Sequence, residues 1–307
     1  MTETMVAGYA RELQESLSLE EQSFIDLIWQ EGKIHWRDLP WRNVDDPYAV
    51  LVSEIMLQQT QVSRVLKYWE RFLATFPSLD ALAAADTALV LELWQGLGYN
   101  RRALALKQTA EICARDWNGQ LPQTYDDLIA LPGIGKATAA GVLCFAYNKP
   151  ALYLETNVRT VFLHHFFPDE VDVSDKRLEP LVAQTTSFSN PRGWYYALLD
   201  YGAYLKATIA NPSRRSKHHT KQSAFEGSRR QKRAEIIRMV LASPGMRFVD
   251  IKRELDEFEA SHGRDNLDDS VVGALVERLV SEGFLCADAS ADNTEDSYEK
   301  TRYFIAK

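Results

Sequence analysis

Cysteine is nearly missing from this chain: its 307 residues hold three, Cys113, Cys144 and Cys286. None falls in a Cys-x2-Cys or Cys/His spacing, so neither a disulfide framework nor a zinc site is expected. Long apolar runs are missing too. No stretch approaches the roughly 18 apolar residues of a membrane span, and the opening MTETMVAGYARELQESLSLEEQ is acidic, without an apolar signal-peptide core. A cytoplasmic location with no membrane partner follows as the expectation. The third absence is positive charge. The formal net charge is −8, whereas nucleic-acid binders usually carry a basic footprint. That deficit is local: residues 234–307 hold sixteen acids against nine bases, so the first three-quarters is close to neutral and has basic clusters of its own.

A hydrophobic share of 46% is enough for at least one sizeable core in two or three domains. Phe24, Leu27 and Ile28 lie at helical spacing in LEEQSFIDLIWQ, a segment that ends at Gly32. After DLPWRNVDDP, Asp46 is a candidate N-cap and Pro47 the first residue of a helix running toward Pro77, with a break predicted near QQTQ. Helical patterns cover 79–95, 101–116, 124–130 and 136–147, jointed by QGLGYN, NGQLP and LPGIG. Strand signals are nearly absent before residue 205. Residues 211–233, NPSRRSKHHTKQSAFEGSRRQKR, read as a basic loop or linker. RAEIIRMVLAS, VDIKRELDEF and DDSVVGALVERLVSEG then form three helical patterns, and GFLCADAS and YEKTRYFIAK pair as a terminal hairpin across an acidic turn, the order of a winged-helix module.

Three segments carry chemistry. LPGIGKATAAG at 131–141 sets two glycines ahead of a helix start, which suits backbone N–H groups to a phosphate and equally suits a ligand-free turn. In SEIMLQQTQV, Glu54 sits among apolar residues. Half-buried it would hold a proton to donate; exposed it would bond Gln58 one turn on. In LYLETNVRTV, Glu155 interrupts an apolar run where a helix begins, so capping and catalysis are compatible roles.

LPWR at 39–42, SEIMLQQTQV at 53–62, LWQGLGYNRRA at 93–103, LPGIGKATA at 131–139, ETNVR at 155–159 and DYGA at 200–203 occur in one order. Together they closely resemble the helix-hairpin-helix DNA glycosylase superfamily and, within it, the MutY-type adenine glycosylases, over about residues 20–205. The resemblance implies a mainly α fold, a two-lobed helix-hairpin-helix core with a C-terminal winged-helix-like α/β module. The expected domains are 1–46 with 156–233, 47–155, and 234–307. It implies that Glu54 protonates the departing adenine, that Gln59 and Tyr99 wedge the DNA stack, and that Leu57 lies near the opposite base. Gly133 and Gly135 fall on the hairpin and Asn157 in the active-site pocket. Arg42, Gln58, Thr60 and Lys136 join the substrate- and DNA-binding set. Ala137 stands where bifunctional relatives carry a catalytic lysine, so no Schiff base and no lyase step is expected there.

Three departures qualify the match. The family's aspartate is Glu155 here, which keeps the charge and moves it by about one C–C bond. The four cluster-binding cysteines are replaced, in ungapped register from DYGA, by Lys206, Ser213, Ser216 and Gln222, so no iron–sulfur cluster is expected. The acidic tail does not resemble the Nudix-like domain that helps read 8-oxoguanine.

The expected function is monofunctional base excision, with adenine opposite 8-oxoguanine or guanine as target and double-stranded DNA bearing a mispaired or damaged base as partner. Alternatives are a mismatch thymine or uracil glycosylase on the same fold and a non-catalytic DNA-binding protein. Arg214, Arg215 and Lys217 head a basic cluster reaching Arg233 that reads either as a DNA-backbone contact replacing the cluster loop or as a solvated linker. The resemblance also allows a monovalent cation at the hairpin. Nucleoid association would follow from the function. Asp268, Asp269 and Glu277 make the third tail helix acidic, so a protein partner or internal packing is as good an expectation for the tail as DNA.

Overall fold

The structure, a computed structural model, describes residues 17–221, 223–288 and 301–307. The acidic opening, Gln222 and the acidic turn of the terminal hairpin lie outside the described residues. In chain order the elements are α1 Leu19–Ile34, α2 Pro47–Leu57, α3 Val62–Val65, α4 Trp69–Thr75, α5 Leu79–Ala83, α6 Thr87–Trp94, α7 Arg101–Asp116, α8 Tyr125–Ile129, α9 Lys136–Tyr147, α10 Thr156–Phe166, α11 Asp175–Thr185 and α12 Pro191–Thr208. There follow α13 Arg229–Ala242, β1 Met246–Arg247, α14 Phe248–Ser261, α15 Asp269–Ser281, β2 Leu285–Asp288 and β3 Arg302–Ile305. The fold is mainly helical, as the sequence predicts. No described helix is long and apolar enough to cross a membrane.

One compact unit takes the described residues up to Val62 and then Ile112–Lys221. Its first helix opens with a capping box, in which Glu21 N donates to Ser18 Oγ at 3.2 Å and Ser18 N to the Glu21 carboxylate at 2.8 Å. Gly32 does not stop α1. It is buried, and a Cβ there would lie 2.3 Å from Ala197 Cβ, so the glycine lets α1 close on α12. Phe24 sets its ring tilted 5.1 Å from Phe162 of α10 and edge-on 6.4 Å from the fully buried Trp194 of α12.

Asp46 caps α2 through Tyr48 N at 3.0 Å with Pro47 in the first turn. The helix ends at Leu57, and Gln59 takes a left-handed backbone at φ 55°, so the expected break is present. Helices α8 and α9 are joined by Ala130–Gly135, a turn that needs Gly133 at φ 74°.

A second compact unit takes Ser63–Glu111 and the described residues beyond Lys221. The expected helix over 79–95 is two, because Asp86 caps a new start by accepting from Ala88 N at 3.0 Å. Phe72 and Trp94 meet edge-on at 5.8 Å in its core. The last elements run α13-β1-α14-α15-β2-β3, with sheet order β1-β3-β2 and antiparallel pairs such as Met246↔Tyr303 and Cys286↔Phe304. This is winged-helix order. The predicted hairpin is β2 and β3; β1, two residues long, is an addition. The basic stretch is not all linker, since α13 already begins at Arg229 under a Ser228 cap.

Candidate active site

Helix α2 is apolar on nearly every face, with Val50, Leu51, Val52, Ile55 and Met56 buried. Glu54 is the ionisable exception, and it is half-buried rather than a surface residue. Its carboxylate lines a pocket of about 630 Å³ together with Gln58, Tyr153, Glu155, Asn157 and Lys206. One aromatic and one small residue shape its seat. The Tyr153 hydroxyl hydrogen-bonds Glu54, and Gly141 of α9 leaves the room, since a Cβ there would lie 2.4 Å from Glu54 Oε2 and 3.0 Å from Tyr153 Cε2.

Glu155 is the N-cap of α10. Its Oε1 accepts from Asn157 N at 2.5 Å and Val158 N at 3.1 Å, satisfying two of the helix's orphan donors. Capping and pocket lining coincide in one side chain. Asn157 also hydrogen-bonds Glu155 through its side chain, while its Oδ1 is buried with no partner among the described residues. A bound group bringing an N–H or O–H donor would relieve that unmet bond. Gly202 of the DYGA segment holds Asn157 in place by close approach: a Cβ there would lie 2.3 Å from the Asn157 carbonyl oxygen.

The two carboxylates differ in what surrounds them. Burial pushes the Glu54 carboxyl up to about 8, the negative charge of Glu155 adds to this, and the Tyr153 hydroxyl only partly offsets it. Burial also raises Glu155, but the Lys206 ammonium and the N–H groups of Val158 and Asn157 act against it. The neighbours of Glu54 therefore favour its protonated form, whereas the cation and N–H donors around Glu155 favour its charge. Burial lowers Lys206 in turn, with Glu155 opposing. Tyr153, raised far above its ordinary range by burial and by both acids, stays a donor.

Two arginines of the pocket lining, Arg37 and Arg42, pair with a buried carboxylate. Asp200 has a fully buried side chain and accepts from Arg42 Nη1 and Nη2 at 2.7 Å each and from Arg37 Nε at 2.6 Å. The Arg42 guanidinium is stacked 4.4 Å from the Tyr196 ring and 4.8 Å from that of Trp36. The LPWR and DYGA segments are thus one device. Arg42, expected in the substrate- and DNA-binding set, lines the pocket while its forked donors bond Asp200.

The other expected residues divide. Leu57, Gln59 and Thr60 line the pocket mouth. Gln58 Nε2 donates to Thr138 Oγ1 at 3.0 Å and to the Gly133 carbonyl at 3.4 Å, tying the end of α2 to the hairpin. Gly133, Gly135 and Lys136 are exposed, and Gly135 starts α9 with no side-chain cap, leaving N–H groups open to a ligand. Tyr99 is left-handed at φ 49°, a costly conformation for a bulky side chain. Ala137 lines the pocket without an amine.

Arg214 and Lys217 are exposed. The Arg215 guanidinium donates to the carbonyls of Leu163 at 2.9 Å, Phe167 at 2.6 Å and Pro168, closing the C-terminal end of α10. At the cluster positions Lys206 lines the pocket, Ser213 donates to Asn211 Oδ1 at 2.8 Å, and Ser216 accepts from His218 N at 3.1 Å. An ammonium and two hydroxyls already hydrogen-bonded do not fit a thiolate-ligated cluster.

Sequence reasoning missed Tyr153 and Gly141, which meet Glu54 only through the fold. Lys206 carried a faint signal, since Leu199, Ala203 and Lys206 share one face of α12 and all line the pocket.

An acid holding its proton beside an ionised carboxylate is equipped to protonate a leaving group while stabilising the cation left behind. Residues 52–183 match the family described as HhH-GPD superfamily base excision DNA repair protein. The chain is 34% identical over 189 residues to the adenine DNA glycosylase of Buchnera aphidicola subsp. Baizongia pistaciae, covering 58% of this chain and 53% of that protein. It is 47% identical over 126 residues to the adenine DNA glycosylase of Mycobacterium tuberculosis, covering 41% of each. The chain thus spans about half, or less, of these relatives. A solved thermostable thymine-DNA glycosylase is similar at TM-score 0.56 and 25% identity, covering 63% of this chain and 90% of that one.

Proposed function

On a chain whose residues 52–183 match the HhH-GPD superfamily of base excision DNA repair proteins, we propose that the pocket removes adenine mispaired with 8-oxoguanine or guanine, without a lyase step. The observation that carries this is one pocket lined by two carboxylates with unlike neighbours, Glu54 raised by burial and by the charge of Glu155, and Glu155 beside the Lys206 ammonium and the N–H groups of Asn157 and Val158. The target base leaves the stack at a cost of a few kcal/mol, lowest for a mispair. Glu54 donates its proton to the purine and the bond to C1′ lengthens. Glu155 offsets the positive charge growing on the sugar, and water then attacks.

Duplex DNA is the proposed partner. The uncapped start of α9 and the exposed hairpin would receive a phosphate, and Arg214 and Lys217 would add salt-sensitive backbone contacts. Carbonyl oxygens of the hairpin turn are the donor type that would hold a monovalent cation there. Gln59 and Tyr99 would enter the vacated stack, a use that accounts for two strained backbones at motif positions. No iron–sulfur cluster is part of the proposal. Work on DNA implies a cytoplasmic, nucleoid-associated enzyme.

The test is single-turnover base release, followed by alkali, from duplexes bearing A opposite 8-oxoguanine, A opposite G, T opposite G and U opposite G. The adenine duplexes should react. Reaction of the T and U duplexes alone would favour the mismatch glycosylase, a second reading supported by the solved thymine-DNA glycosylase being matched over 90% of its length. Product from none of the four, with tight duplex binding, would leave a non-catalytic binding protein.

A further inference from the structure

In the second unit a groove of about 380 Å³ is lined by Arg101 of α7, Arg229, Arg230 and Arg233 of α13, and Arg278 of α15, with Glu282 among them. Glu282 gathers three of the five: it accepts from Arg233 Nη2 at 2.5 Å and Arg278 Nε at 2.8 Å, and lies 3.3 Å from Arg101 Nη2. One carboxylate does not balance five guanidinium groups, and the surplus faces solvent. The Arg101 and Arg278 side chains are 71% and 69% exposed. Ion pairs that open to water contribute little to stability, so the fold itself gives little reason to hold like charges together here. Residues 234–307 are acidic overall, which makes a concentrated basic groove on their border more pointed.

The groove also contains Tyr99. Arg230 Nη1 donates to the Tyr99 hydroxyl at 2.5 Å, and the guanidinium carbon lies 5.3 Å from its ring. The winged-helix module therefore grips the strained residue of the LGYN turn directly. Planar, forked guanidinium groups match phosphate oxygens in pairs, which lysines do not.

We infer that this groove is a phosphate-binding site for the DNA backbone beside Tyr99, with α7, α13 and α15 supplying its arginines and Glu282 holding three of them in position. The inference rests on the glycosylase reading for the presence of duplex at Tyr99. The acidic tail then acts on DNA through its basic edge, which holds the strand at Tyr99.

The test pairs the full chain with an Arg101→Ala/Arg278→Ala variant, both sites exposed enough for the fold to tolerate the change. Binding to a duplex with A opposite 8-oxoguanine is followed by fluorescence anisotropy between 50 and 200 mM salt. Loss of two phosphate contacts should reduce the slope of log K against log salt by about 2 and weaken binding roughly 10- to 100-fold at low salt. At saturating enzyme the single-turnover rate should stay within a few-fold of wild type, because neither residue touches reacting atoms. An unchanged slope and affinity would overturn the inference and return the groove to a partner other than DNA. Wild-type chain that binds duplex yet releases no base removes the catalytic reading and leaves this test intact; wild-type chain that binds no duplex overturns both.

Discussion

A Cβ added to Gly141 would lie 2.4 Å from Glu54 Oε2, so a hydrogen in the middle of one helix sets the position of a carboxylate on another. Replacing Gly141 by Ala pits two effects against each other. In a helix interior alanine is favoured over glycine by about 1 kcal/mol, and the clashing atom is the end of a flexible side chain that can swing away. The variant should melt within a few degrees of wild type or higher. A displacement of about an ångström in a proton donor costs roughly 100-fold in rate, so base release should collapse in a well-folded protein. Calorimetry and single-turnover kinetics on the same sample separate the two; full activity would mean that the seat of Glu54 is unimportant.

The pH profile should be a bell. Activity falls as pH rises through about 8, where Glu54 gives up its proton, and falls on the acid side as Glu155 gains one. Lys206→Met removes the cation opposing the rise in Glu155, so the acid limb should move to higher pH while the alkaline limb moves far less. Equal movement of both limbs, or of neither, would deny Lys206 this part.

Stability follows the same proton. The Glu54 carboxyl is raised from 4.5 in the ordinary state to about 8 in the fold. Its favourable contribution is complete below pH 4.5 and is lost as pH climbs toward 8, because the unfolded chain ionises freely and the folded one does not. Glu54→Gln should therefore match wild type at pH 4 and exceed it at pH 9 by on the order of 1–2 kcal/mol, allowing for partial solvent access. Urea titrations at the two pH values give the comparison.

Glu155 holds a helix end and a charge, and substitutions can part them. Asn is a good N-cap without charge, so Glu155→Asn should keep stability and lose roughly 100-fold or more in base release. Glu155→Ala should lose the activity and about 1 kcal/mol besides. Equal stability of the two variants would show that the bonds to Asn157 N and Val158 N carry no weight.

Much of this was legible in the chain. Helices α7 and α9 have the predicted ends, and the Asp46-Pro47 start and the break at QQTQ are where capping chemistry puts them. Glu54 and Glu155 stood out as acids interrupting apolar runs. What stayed hidden depends on distant partners. Gly32 looks like a helix stop until Ala197 is beside it, and Gly141 and Tyr153 matter because each meets Glu54 across the fold. Only tertiary structure supplies the Asp200 carboxylate and the α10 carbonyls that bond Arg42 and Arg215. Strand β1, at two residues, is too short to show alternation.

The most direct measurement is single-turnover release of adenine opposite 8-oxoguanine by Glu54→Gln at pH 7, with duplex affinity measured alongside. Removing the proton donor should slow release by about 1,000-fold, near 4 kcal/mol of barrier, with binding unchanged. A rate within a few-fold of wild type would contradict the account, since no proton from position 54 would then be needed to break the bond.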